Sequence, residues 1–133
     1  MSTSSRPAPD DPCPCGADSW VRCCGPVVAG ETAASTAEAL MRSRYTAFVV
    51  GDADHLLRSW HPDTRPDEVT FVAEQAWTGL EIVSTERGRV LDATGVVEFR
   101  ARYRRGERAG ELHEASRFGR VDGRWVYIDG DVR

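Results

Sequence analysis

All four cysteines of the chain fall in one short stretch, "DPCPCGADSWVRCCG" (11–25), as Cys13, Cys15, Cys23 and Cys24. Thiolate sulfur is the usual ligand of closed, tetrahedral structural zinc. Two close pairs on either side of a short loop can turn four sulfurs toward one point. Pro12 and Pro14 stiffen the first pair, and Gly16 and Gly25 permit the tight backbone turns of a metal knuckle. Arg22, beside the second pair, is expected to offset the charge of a four-thiolate site. Other uses of the same atoms stay open. Among disulfides, Cys13–Cys15 and Cys23–Cys24 would close small strained rings, and the two crossed pairings would need an oxidising compartment. A redox pair at Cys23 and Cys24 is a third reading. One cysteine could also be a spectator, with a nearby Asp or His completing the shell.

Other residues with chemical potential are scattered. They are Arg44, Tyr45, Trp60, His61, Tyr103, His113, Glu114, Trp125, Tyr127 and Asp129. Their interest depends on the elements that carry them. "STAEALMRSRYTAFVVGD" reads as a helix, with Ser35 and Glu38 as a capping box and Gly51 as the stop. Positions 37, 40, 41, 44, 45 and 48 share one face, which puts Arg44 on an apolar stripe. Such a charge either snorkels to water or finds a buried partner. "DADHLLRSWHP" predicts a second short helix capped by Asp52, and "RPDEVTFVAEQA" a third, weaker one.

From Trp77 onward the apolar period is two, which signals strands. "WTGLEIVSTERG" is the first, and "VVEFRARY" and "LHEASRF" alternate cleanly. Asp122-Gly123 marks a hairpin turn. Helices followed by an antiparallel meander give an α+β fold with one polar sheet face. By alternation Glu114 points inward with Leu112 and Phe118, whereas His113 points out. Arg44 and Glu114 are therefore expected to meet inside the fold, as a structural ion pair, a ligand-orienting pair or part of an acid–base set. "HE" at 113–114 is no metalloprotease motif, because a second histidine is missing.

Bulk composition sets limits. The 133 residues suffice for one domain and its core. The net charge of −4, without a basic run, disfavours nucleic-acid binding. All seventeen basic residues are arginine, so lysine Schiff-base and P-loop chemistry are excluded. No apolar run reaches membrane-spanning length. "MSTSSRPAPDDP" lacks the regions of a secretory signal, and residues 1–10 read as a disordered tail. A cytoplasmic location with reduced thiols is expected.

"CPCG…CCG" resembles the SEC-C motif, a zinc-binding segment that implies docking to partner proteins. "LMRSRYTAF", "SWHP", "ELHEASRF" and "RWVYIDG" together resemble the YchJ family over residues 11–130. That resemblance implies a SEC-C-like zinc knuckle at 11–30, followed at 31–133 by a nuclear-transport-factor-2-like (cystatin-like) domain. In that fold a bent sheet wraps helices into a cone. It implies zinc as the metal, held by Cys13, Cys15, Cys23 and Cys24, and carries over no particular activity. The resulting expectation is a non-enzymatic module that binds a protein partner through the knuckle, or a small ligand. Its pocket candidates are Arg44, Tyr45, Trp60, Tyr103, Glu114 and Trp125. The alternative is a small isomerase, dehydratase or hydrolase using that pocket. A homodimer through the sheet is also compatible with such cones.

Overall fold

The structure is a computed structural model that describes residues 7–133. Most of the tail expected at 1–10 lies outside them. Within it, residues 8–11 form a turn closed by the Asp11 amide on the Ala8 carbonyl. Three helices precede four strands: α1 (Cys24–Val28), α2 (Ala37–Val50), α3 (Ala53–Arg58), β1 (Gln75–Arg87), β2 (Gly95–Arg105), β3 (Arg108–Val121) and β4 (Arg124–Val132). The strands form one antiparallel meander in the order β1-β2-β3-β4. The expected α+β architecture is what the chain adopts.

Helix α2 is the axis of the molecule. It packs against β1, β2 and β4 on one side and α1 on the other. Burial therefore extends well beyond the six-residue stripe read from the sequence, to Ser43, Thr46, Ala47 and Val50. Thr36, rather than Ser35, is the N-cap, and its hydroxyl accepts from the Ala39 amide at 3.0 Å. The Ser35 carbonyl is instead taken by the indole N–H of Trp125. Glu38 then turns along the helix to pair with Arg42. Gly51 ends α2 at φ 75°, and Asp52 caps α3 through the His55 amide, as the sequence predicts.

The third helix does not form. Residues 65–74 are turns and extended chain leading into β1. Pro66 disfavours helical backbone at Arg65, and Val69, Thr70 and Val72 are β-branched. One ring anchors the segment, Phe71, edge-on to Phe48.

The inward face of the sheet is as the alternation predicts. Val97, Phe99, Ala101, Ser116 and Phe118 are buried. The outward face is a ladder of ion pairs: Glu81 and Glu111 each reach both Arg100 and Arg102, and Arg117 reaches Asp129 and Asp131. Edge strand β1 breaks register with β2 twice, between Trp77 and Gly79 and between Ile82 and Ser84. At Asp122-Gly123 both residues have positive φ (53° and 80°), the geometry of a two-residue hairpin turn.

Backbone contact fixes the start of α2 on the sheet. The Ala37 amide donates to the Gly88 carbonyl at 2.9 Å. A Cβ on Gly95 would sit 2.5 Å from the Gly88 Cα and 3.1 Å from the Ala37 methyl. Gly95→Ala is therefore expected to destabilise the protein by about 2–3 kcal/mol, read as a lower urea midpoint.

Candidate metal centre and the buried cation of α2

The segment before α1 folds back on itself through short hydrogen bonds. The Cys13 amide donates to Ala17, the Gly16 amide to Cys13, and the Cys23 and Gly25 amides both to Trp20. Gly16 makes its turn at φ 104°. Gly25 is required by proximity, because a Cβ there would lie 2.8 Å from the Trp20 carbonyl oxygen. These turns gather the four sulfurs. Every pair of Sγ atoms is within 4.8 Å, with Cys15–Cys23 at 3.5 Å and Cys23–Cys24 at 3.7 Å. All four thiols are free, and Cys13, Cys15 and Cys24 are buried. No carboxylate or imidazole joins the group among the described residues.

The cluster sits on α2. Thr46 Oγ1 is 3.9 Å from Cys13 Sγ, and the Arg42 guanidinium donates to the Cys15 carbonyl at 3.1 Å and lies 3.8 Å from its sulfur. The countercharge expected from Arg22 thus comes from Arg42; Arg22 is exposed. The signal was present in the sequence, since Glu38, Arg42 and Thr46 recur every fourth residue on one helix face. Cys13, Cys15, Cys24 and Val28 share a continuous core with Leu40, Met41 and Tyr45, so knuckle and cone are not separately packed units.

The electrostatics of the cluster are those of shared protons. Hydrogen bonds from the Cys13 and Cys24 thiols hold Cys15 far below the ordinary thiol range, against the opposing effect of burial. Burial pushes Cys23 up to about 12, helped by its bond to Cys15 and that residue's negative charge. Cys24 is pushed far up as it donates to Cys13 and Cys15. Such a set could hold a metal ion.

The pocket candidates divide into three places. Tyr45 and Tyr103 join an aromatic cluster, both edge-on to Trp77, which also faces Phe48. Burial raises the Tyr45 hydroxyl to about 12. Trp125 lies beneath the guanidinium of Arg120 at 4.2 Å. Arg44, Trp60 and Glu114 form the third group, with Tyr127 as its centre.

Arg44 does not snorkel; it is 5% exposed. Nor does it contact Glu114 directly. Its guanidinium lies between the rings of Trp60 (4.9 Å) and Tyr127 (4.6 Å) and donates to the Leu56 carbonyl and the Ser59 hydroxyl. Tyr127 donates its hydroxyl to Glu114 at 3.4 Å, and Ser116 does so at 2.6 Å. The expected ion pair is thus a relay with an aromatic ring between cation and carboxylate. Burial lowers Arg44 to about 10, opposed by Tyr127 and Glu114, so it stays charged at neutral pH. The segment carrying Trp60 is held by the Tyr127 amide on Ser59 and the His61 amide on Tyr127. His61 accepts from the Asp63 amide, His113 pairs with Glu98 at 2.6 Å on the outer face, and Asp129 pairs with Arg117 further along that face.

His55 was not singled out by the sequence, yet it is the buried histidine. Its Nε2 is 2.9 Å from Ser43 Oγ, which donates to the Leu40 carbonyl; Arg58 approaches Nδ1 at 3.4 Å. A neutral ring with its proton on Nε2 satisfies every partner.

These features define a class, an α+β cone with an N-terminal four-cysteine knuckle. The family model for the YchJ middle, nuclear-transport-factor-2-like domain matches residues 36–130. A UPF0225 protein of Streptomyces coelicolor is 56% identical over 124 residues, covering 92% of this chain and 97% of that protein. One of Ralstonia nicotianae is 46% identical, covering 95% and 94%. The solution structure of a SEC-C motif containing protein from Rhodopseudomonas palustris superposes with a TM-score of 0.80 at 32% identity, covering 92% and 98%. A crystal structure of a SEC-C motif containing protein from Psychrobacter arcticus gives 0.73 at 25%, covering 94% and 84%. The chain belongs to the YchJ (UPF0225) family.

Burial, then the cations Arg58 and Arg44, depress His55 to about 4, with Asp52 opposing. The unfolded chain takes up this proton near pH 6.5 and the folded chain only near 4. Stability is therefore full above the higher value and falls as pH drops between the two. A loss of about 2 kcal/mol from this residue is expected between pH 7 and pH 5. Urea titrations of wild type and His55→Gln measure it, the variant losing less.

Proposed function

We propose that Cys13, Cys15, Cys23 and Cys24 bind a single zinc ion, and that the ordered knuckle docks a protein partner. The geometry of the sulfurs supports this most directly. Tetrahedral zinc with bonds of about 2.3 Å separates its sulfurs by about 3.8 Å. The Cys15–Cys23 and Cys23–Cys24 separations, 3.5 and 3.7 Å, fall near that value. Thiolate donors suit zinc, and Arg42 and Thr46 supply the outer contacts that orient and neutralise such ligands. The likeness to SEC-C motif proteins supports the same reading. Reduced thiols fit a cytoplasmic location; no helix among the described residues is long and apolar enough to cross a membrane.

Val21, 52% exposed beside the half-buried Trp20, gives the knuckle an apolar contact point. A homodimer through the outer sheet face would have to desolvate the Glu81–Arg100–Glu111–Arg102 ladder, which disfavours that route. The separation of Arg44, the Tyr45–Tyr103 aromatic cluster and Trp125 into three places favours binding over catalysis.

Protein purified without chelator is expected to carry one zinc per chain by elemental analysis, and the Cys13→Ser/Cys15→Ser variant none. Metal-free wild type under those conditions would overturn the reading. Arg42→Met should weaken zinc roughly tenfold in a chelator competition. Partner association should be lost with Val21→Asp and unaffected by Val83→Asp on the sheet.

A further inference from the structure

A cleft of about 720 Å³ opens between the connector after α1, helix α3 and the β3–β4 hairpin. It lies apart from the cysteine cluster and does not involve Arg44 or Glu114. Leu40, Trp60, Trp125 and Val126 supply apolar wall. Its charge runs against that of the molecule. Arg58, Arg65 and Arg124 line it with only Glu31 and Asp122 of opposite sign, in a chain of net charge −4. His55, also in the lining, is neutral, as its hydrogen bonds require.

The donors here lack acceptors. Among the described residues no ion pair joins the three arginines to Glu31 or Asp122, and the side chains of Arg65 and Arg124 have no hydrogen-bond or ion-pair partner. Arg58 uses one nitrogen, on the Val28 carbonyl and beside His55. The indole N–H of Trp60 is buried and has no acceptor among the described residues. A lining with aromatic and aliphatic wall, surplus positive charge and spare donors calls for a guest that brings acceptors. Guanidinium forks suit planar or tetrahedral oxyanions. Clefts of this size and mixed lining are typical of small-molecule sites.

We propose that this cleft binds a small amphipathic anion, an aromatic or branched apolar body bearing one carboxylate or phosphate group. The body lies against Trp60, Trp125 and Leu40, and the head group pairs with Arg65 and Arg124. The proposal is independent of the zinc reading and is tested on zinc-replete protein. The chain's four tryptophans provide the assay, because Trp60 and Trp125 line the cleft whereas Trp20 and Trp77 do not. In ¹⁵N-labelled protein titrated with 1-naphthoate, the Trp60 and Trp125 indole signals should shift and saturate while those of Trp20 and Trp77 stay in place. Arg65→Ala/Arg124→Ala, which removes two exposed and unbonded side chains, should weaken binding about tenfold or more without moving the urea midpoint, and neutral 1-naphthalenemethanol should bind wild type at least tenfold more weakly. 1-Naphthyl phosphate in a parallel titration distinguishes the head groups, and either order of affinity supports the site. The proposal is overturned if all four indoles shift together, if the neutral analogue or the double variant matches wild type with 1-naphthoate, or if neither anion saturates the signals.

Discussion

Four sulfurs within 4.8 Å of one another, three of them buried, cannot all carry negative charge unless a cation stands among them. The crowding shows in the thiols themselves: hydrogen bonds from its neighbours hold Cys15 far below the ordinary range, while Cys23 and Cys24 are pushed up. Much of the surrounding structure follows from keeping these atoms close and dry. The Trp20 carbonyl accepts two amides so that the chain can reverse. Arg42 is drawn from its helix toward Cys15, and Cys13, Cys15 and Cys24 become part of the cone's own core. A divalent cation would replace mutual repulsion by attraction to a common centre. The knuckle and the helix beneath it would then be stabilised together.

The opposite side of α2 carries a second charge problem with a different solution. Arg44 is nearly inaccessible, and its carboxylate neighbour is not in contact. Two π faces, a carbonyl and a hydroxyl take the place of an ion pair. Burying a guanidinium in this way is feasible because it is planar and weakly hydrated. The arrangement has a wide reach. Tyr127 holds Arg44 with its ring, Glu114 with its hydroxyl, and the segment after α3 with its backbone. Gly130 leaves room for Glu114 in the same neighbourhood.

Much of this was legible in the residues. Strand alternation placed Val97, Phe99, Ser116 and Phe118 correctly, because a sheet with one solvated face leaves a period of two. The cysteine spacing foretold a cluster, and Asp122-Gly123 a hairpin, because both are local matters. What was hidden depends on distant partners. Ser35 and Thr36 are equally plausible caps until Trp125 takes the Ser35 carbonyl. Arg22 is the nearer cation in sequence, but Arg42 is the nearer one in space. Arg44 and Glu114 do face each other's region, yet periodicity cannot show that a tyrosine from β4 intervenes. His55 carries no local signal of burial, since nothing in its own helix reveals that Ser43 awaits it. The segment at 65–74 shows how an apolar residue at helical spacing, such as Phe71, can belong to an extended crossing instead.

The two interruptions in β1 have a bearing on how the protein behaves when crowded. A long edge strand is an invitation to a neighbouring molecule to add its own strand, and repeated addition leads to fibrils. Here the edge row of amides and carbonyls is broken at two places, and its outward side chains include Glu81, Glu86 and Arg87. At the other edge, β4 is covered in part by the chain passing Trp60. Neither margin offers a straight, uncharged template, so the sheet can remain four strands wide at high concentration.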